Sequence, residues 1–248
     1  MQTWREASNK VRSQYDLVSD LAYGTGQRER IDLFPANRAH APLVLFFHGG
    51  AWRRLSKADA LFPAPLYLER GIAFAAAGFD LAPKVSLTKQ VEQASQALHW
   101  IANNAKRFGI DPRRIFLIGN SSGGHLAGML MTKEKISRGA LLVSGIYDLE
   151  PVQLSARNEY LHLDPATAKA LSPIEHIPPN GAPLVVGWGG KELEEFKRQS
   201  CSFADAWEHR GARVERVFMA EHNHFDMTSS LGQADCPLFE AFIQLIKS

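Results

Sequence analysis

Gly119-Asn120-Ser121-Ser122-Gly123 follows directly on Arg114-Ile115-Phe116-Leu117-Ile118, and this junction decides how the chain folds. A β-branched and aromatic run of that length, apolar on both faces, reads as a buried strand. The residues after it, Gly124-His125-Leu126-Ala127-Gly128-Met129-Leu130-Met131, have helical spacing. The chain must therefore reverse from strand to helix within a few residues. Glycines at 119 and 123 relieve the crowding of such a turn. Ser121 is thrust outward at a helix N-terminus whose dipole favours developing negative charge. This is the G-x-S-x-G pattern of a nucleophilic serine. A phosphate loop is the nearest rival, because Gly119 to Gly124 also matches G-x-x-x-x-G. The next residues are His125 and Leu126 rather than Lys and Ser or Thr, so the ammonium and the magnesium ligand are missing.

Outward from this turn, strands alternate with helices. Strands are expected at Asp20–Tyr23, Glu29–Phe34, Leu43–Phe47, Ile72–Ala77, Ala140–Ser144, Leu184–Gly187 and Arg213–Phe218. Gln90 to Phe108 has Val91, Ala94, Ala97, Leu98, Ile101 and Ala105 on one helical face, and Ile110-Asp111-Pro112 closes it. Shorter helices are expected at Ser8–Asp20 and Pro237–Lys247. The pattern predicts an α/β fold, a mostly parallel sheet of about eight strands with helices on both faces. Pro151 to Pro183 breaks the rhythm and reads as a small cap insertion near the site. Trp52 to Leu68 is expected to add to the same roof. Residues 1–248 are read as one domain, since 248 residues suffice for a single large core.

Composition narrows the function. A content of 45% hydrophobic and 22% charged residues is ordinary for a soluble globular protein. A net charge of +2 gives no sign of a nucleic-acid or membrane partner. No apolar stretch approaches membrane-spanning length, and no amphipathic lid stands out. The polar stretch Met1 to Lys10 lacks the apolar core of a signal peptide. Two cysteines, Cys201 and Cys236, are too few for a disulfide framework, so a reducing, cytoplasmic setting is expected.

A serine that transfers acyl groups needs a base, a group that orients the base, and donors for the oxyanion. On such turns the chain order runs nucleophile, acid, histidine. The base is sought in Glu221-His222-Asn223-His224-Phe225-Asp226, just after the last strand, and His224 is favoured over His222. The spacing His222-x-His224-x-Asp226 also suggests a metal site, but further ligands at matching spacing are not evident, so neither metal nor organic cofactor is expected. The acid should follow the strand at Leu184–Gly187. That segment offers Glu192, Glu194 and Glu195. Glu192 is nearest the strand end, whereas Glu194 and Glu195 suit the first turn of a helix. Asp148 is the fallback. Oxyanion donors are expected from the amides of Ser122, Gly50 and Ala51, the last two in the glycine-bearing loop His48-Gly49-Gly50-Ala51-Trp52. His48 and His125 read as structural. Trp52 and Trp188 are candidates for an aromatic wall against substrate.

Five blocks carry a resemblance to a known family. His48-Gly49-Gly50-Ala51-Trp52, Phe79-Asp80-Leu81-Ala82-Pro83, Gly119 to Ala127, Glu195 to Ser200 and Asn223-His224-Phe225-Asp226 resemble the arylformamidases (kynurenine formamidases) and their esterase relatives in the α/β-hydrolase superfamily. The resemblance implies a Ser–Asp/Glu–His triad, here Ser121, Glu192 and His224, that cleaves a small ester or N-formyl amide. Two positions depart from the pattern: Glu192 where many members have Asp, and Ser122 where Ala is common. The arylformamidase-like reading leads, a short-chain carboxylesterase of broad specificity is the alternative, and a non-catalytic binding protein on the same fold is the third reading. The motifs leave a homodimer open.

Overall fold

The computed structural model describes residues 2–248; Met1, the first residue of the polar N-terminal stretch, lies outside them. Eight strands form one sheet: β1 (Val18–Ala22), β2 (Arg30–Phe34), β3 (Ala41–Phe47), β4 (Ala73–Ala77), β5 (Ile110–Asn120), β6 (Ser137–Val143), β7 (Leu184–Gly189) and β8 (Val214–Met219). Their spatial order is β1-β2-β4-β3-β5-β6-β7-β8. The pairs from β4 through β8 are parallel, while β2 runs antiparallel to both β1 and β4. The expected sheet is present strand for strand.

Ten α-helices of the described residues surround it: α1 (Gln2–Gln14), α2 (Ala64–Leu68), α3 (Leu87–Asn104), α4 (Ser122–Lys133), α5 (Glu150–Gln153), α6 (Asn158–Leu161), α7 (Pro165–Ala170), α8 (Glu194–His209), α9 (His224–Ser230) and α10 (Pro237–Lys247). Strand β3 shows why both faces need cover. Leu43, Leu45 and Phe47 point into a core shared with α3, α4 and α8, whereas Val44 and Phe46 point into a second core shared with α2 and α10. None of these helices is long and apolar enough to cross a membrane.

Several boundaries differ from expectation; the N-terminal helix starts at Gln2 rather than Ser8, and the long helix spans Leu87–Asn104 rather than Gln90 to Phe108. The N-terminal helix ends at Gln14, and Val18 already belongs to β1, where it pairs with Leu33. Ile110 pairs with Ala41 and so starts β5, and the ladder is irregular before Leu43 pairs with Ile115. Pro112, which donates no N–H, is carried in that irregular stretch. Between β6 and β7, across the span read as an insertion, the chain forms α5, α6, α7 and a 3₁₀ turn at Pro173–His176.

β3 and β5 are adjacent, and the strand order reverses around them, so loops leaving their carboxyl ends diverge and open a crevice. The turn from β5 to α4 fits because Gly119 and Gly123 have no side chain. A Cβ on Gly123 would lie 2.0 Å from the Phe47 carbonyl oxygen, and one on Gly119 would lie 2.3 Å from that of Gly123. These neighbours are backbone and cannot swing aside. Gly123→Ala should therefore cost more than about 3 kcal/mol, or prevent folding, and denaturant unfolding will read it. A loss below about 1 kcal/mol would mean that the turn is not tightly held.

Candidate active site

Ser121 sits at the sharp corner between β5 and α4 with φ 54° and ψ −123°, a conformation that costs a non-glycine residue energy. Its backbone N–H donates to Val143 O at 2.9 Å and its carbonyl accepts from His125 N, so the corner is anchored on both sides. Asn120, just before it, ties neighbouring loops together. Its side-chain oxygen accepts from Gly49 N at 3.2 Å, and its amide donates to Thr228 Oγ1 at 2.8 Å.

His224 arrives on the first residue of α9. Asn223 caps that helix, its side chain accepting from the N–H groups of Phe225 and Asp226, while the Asp226 carboxylate accepts from Asn223 N. The motif Asn223-His224-Phe225-Asp226 is therefore a capping box that aims an imidazole. The His224 ring lies against Phe196, with centroids 4.1 Å apart. Its Nε2 is 2.9 Å from Ser121 Oγ, and its Nδ1 is 2.6 Å from Glu192 Oε1. The other Glu192 oxygen accepts from Ser144 Oγ at 2.8 Å and Gly189 N at 2.7 Å. A carboxylate with no side-chain exposure thus has three donors, which offset the cost of burying it.

The remaining acids and His222 have other roles. Glu194 pairs with Lys197, and Glu195 with Arg198. Asp148 pairs with Arg198, and its backbone is held by Gln199. His222 does not line the cleft, whereas His224 does.

The amides of Gly50 and Ala51 donate to no acceptor among the described residues, and Ser122 occupies the first position of α4, where an N–H lacks an intrahelical partner. Gly50 has φ 111°, and a Cβ there would lie 2.3 Å from Arg54 O. Ala51 and Trp52 follow at φ 52° and 59°. Three successive left-handed residues turn this loop tightly beside Ser121.

The cleft over these groups measures about 650 Å³. Trp52 and Trp188 do not line it, contrary to expectation. Trp52 is 1% exposed; its indole N–H donates to His125 Nδ1 at 3.2 Å, and its carbonyl accepts from Ala82 N and Gln90 Nε2. Trp188 is buried beside Phe218. Both aromatics are core. The apolar wall consists instead of Trp4, Phe46, Phe62, Leu193, Phe196 and Phe225. Trp4 comes from α1, donates to Ser229 Oγ at 2.9 Å and stacks on Phe225. Arg157 and Tyr160 of the insertion complete the rim, Tyr160 donating its hydroxyl to Ala51 O at 3.1 Å. The Phe225 motif position offered a signal for this wall; Trp4 offered none.

Two buried histidines brace the site. His48 donates from Nδ1 to Gly49 O at 2.7 Å and stacks on Phe79. His125 accepts from Trp52 and donates from Nε2 to Leu171 O at 2.8 Å, linking the Gly50 loop to the insertion. Burial lowers each imidazole from 6.5 to about 4.

The chain has the α/β-hydrolase fold and is similar to arylformamidases and carboxylesterases. The BD-FAE family model matches residues 31–150. Kynurenine formamidase of Salmo salar is 27% identical over 98% of this chain and 86% of its own length. A solved presumptive thioesterase from Silicibacter sp. is 28% identical, covering 100% of this chain and 92% of its own at a TM-score of 0.87. A propionate-bound esterase from Thermogutta terrifontis, 22% identical over 94% and 93% of the two chains, has the same fold at a TM-score of 0.77.

The bracing histidines make stability depend on pH. Their folded-state values lie below the unfolded 6.5, so between pH 6.5 and 4 the unfolded chain binds more protons, and acid favours unfolding. Their contribution is complete above pH 6.5 and falls as pH drops toward 4, by about 3 kcal/mol per histidine across the window. Urea unfolding should show a falling free energy from pH 7 to 5, before most carboxylates titrate. A flat profile there would contradict neutral burial of both rings.

Proposed function

We propose that this protein hydrolyses a small ester or N-formyl amide through an acyl-enzyme on Ser121, an arylformamidase-like activity that would release formate from N-formylkynurenine. The observation that carries the reading is the line Ser121 Oγ, His224 Nε2, His224 Nδ1, Glu192 Oε1, spanned by hydrogen bonds of 2.9 and 2.6 Å. Because Nδ1–H donates to the carboxylate, the lone pair of Nε2 faces the serine hydroxyl. His224 takes the Ser121 proton as the oxygen attacks the carbonyl carbon, and Glu192 stabilises the imidazolium. The N–H groups of Gly50, Ala51 and Ser122 receive the oxyanion. His224 then protonates the departing amine or alcohol. Water attacks the acyl-serine with the same groups in the same roles, releasing the acid and restoring the hydroxyl.

The apolar wall of Trp4, Phe62 and Phe225 gives weight to a second reading, a short-chain carboxylesterase, since it offers more room than a formyl group fills. Relative turnover of N-formylkynurenine and 4-nitrophenyl acetate or butyrate separates the two, and a strong preference for the nitrophenyl esters rejects the formamidase version. On whichever substrate turns over, Ser121→Ala should lower kcat by about 10³-fold or more with folding unchanged. Glu192→Gln, which presents an amide N–H to Nδ1 and so favours the wrong tautomer, should cost about 10²-fold or more. Near wild-type kcat in Ser121→Ala would defeat the assignment.

A further inference from the structure

Three guanidinium groups stand at the cleft without a carboxylate. Arg53 and Arg54 lie on the loop that carries Gly50 and Ala51, and Arg157 lies on the insertion facing it. None forms an ion pair among the described residues. The other charges lining the cleft are compensated. Asp59 takes two hydrogen bonds from Arg5, Lys191 pairs with Glu221 at 2.6 Å, and Glu192 is committed to His224 and its two other donors. The positive excess is therefore local, in a chain whose net charge is only +2.

Tyr160 lines the same cleft as the three arginines. The Arg53 guanidinium carbon lies 4.5 Å from the centre of its ring, a cation–π contact that limits where that side chain can go. The Tyr160 hydroxyl donates to Ala51 O, adjoining the amides assigned to the oxyanion. Burial pushes the pKa of that hydroxyl up, and the positive fields of Arg157, Arg53 and Arg54 pull it back down. Across the cleft the wall is apolar, and a crevice with low-dielectric walls concentrates the field of a one-signed rim.

We propose that the substrate is amphipathic and anionic: a carboxylate, sulfonate or phosphate group is held by Arg53, Arg54 and Arg157, and an apolar part lies against Trp4, Phe62 and Phe225. This assignment rests on the acyl-transfer reading and names the substrate class of the same site. Guanidinium forks suit such anions because they can donate two parallel hydrogen bonds.

Two matched ester pairs test it. 3-Acetoxybenzoate against 3-acetoxybenzamide places the charge on the leaving group, and mono-4-nitrophenyl adipate against 4-nitrophenyl hexanoate places it on the acyl side. At low ionic strength one pair should favour its anionic member in kcat/KM by about ten-fold or more, mostly through KM, and added salt should shrink the ratio. Arg157→Gln should lower that ratio by about three-fold, and Arg54→Gln/Arg157→Gln by about ten-fold. Because the readout is a ratio, general damage to the enzyme cancels. Equal kcat/KM within both pairs, or a ratio untouched in the double variant, overturns the anion assignment alone. Wild-type protein inert on all four esters overturns the anion assignment, and protein inert on N-formylkynurenine as well overturns the hydrolase reading with it.

Discussion

The backbone at Ser121 is the constraint on which the rest depends. A serine at φ 54° and ψ −123° is held away from its comfortable conformations, and the strain persists only because the surroundings leave no alternative. Val143 O fixes the serine N–H on the β6 side. Gly119 and Gly123 allow the first turn of α4 to press against β5 and Phe47 O, at distances that no side chain survives. The corner projects the hydroxyl into the crevice, places Ser122 N at a helix terminus, and sets the reference position for groups arriving from distant parts of the chain.

Those groups are held by polar contacts that span loops. Asn120 joins the corner to the Gly49 loop and to Thr228 of α9, so Ser121, the Gly50–Ala51 amides and His224 share one strut. His125 joins Trp52 to Leu171, so the same loop is tied to the insertion. Ser144 and Gly189 hold Glu192 from two successive strand ends. Chemistry that relies on prepositioned dipoles needs such fixity, because donors that must reorient during reaction stabilise charge less. Glutamate in place of the commoner aspartate fits this frame: its longer side chain, rooted in the short turn after β7, reaches Nδ1 at 2.6 Å.

What the sequence made legible was local. A buried strand, two crowding glycines and a helical run within about twenty residues identify the corner, and alternating strand and helix patterns predict the sheet. Glu192 and His224 could be chosen because each follows a recognisable strand. The walls were not legible, since they are made by residues remote in sequence: Trp4 and Ser229 are 225 positions apart. Trp52 and Trp188 misled because a large aromatic near a functional loop is more often core than wall, and Trp52 serves by bonding His125 from beneath the loop. The end of α1 slipped because a polar amphipathic run has no sharp stop signal between Gln14 and Val18. The arginine rim was invisible for another reason. Its charge is unremarkable in the total and becomes distinctive only when the structure shows which arginines form no ion pair among the described residues.

The central claim is that the Ser121 hydroxyl is made nucleophilic by its imidazole neighbour. The most direct measurement is stoichiometric labelling with a fluorophosphonate, followed by peptide mass spectrometry to locate the adduct. An activated serine predicts one adduct per chain, on Ser121, formed far more slowly after His224→Ala. An unlabelled chain, or an adduct confined to another residue, would contradict it.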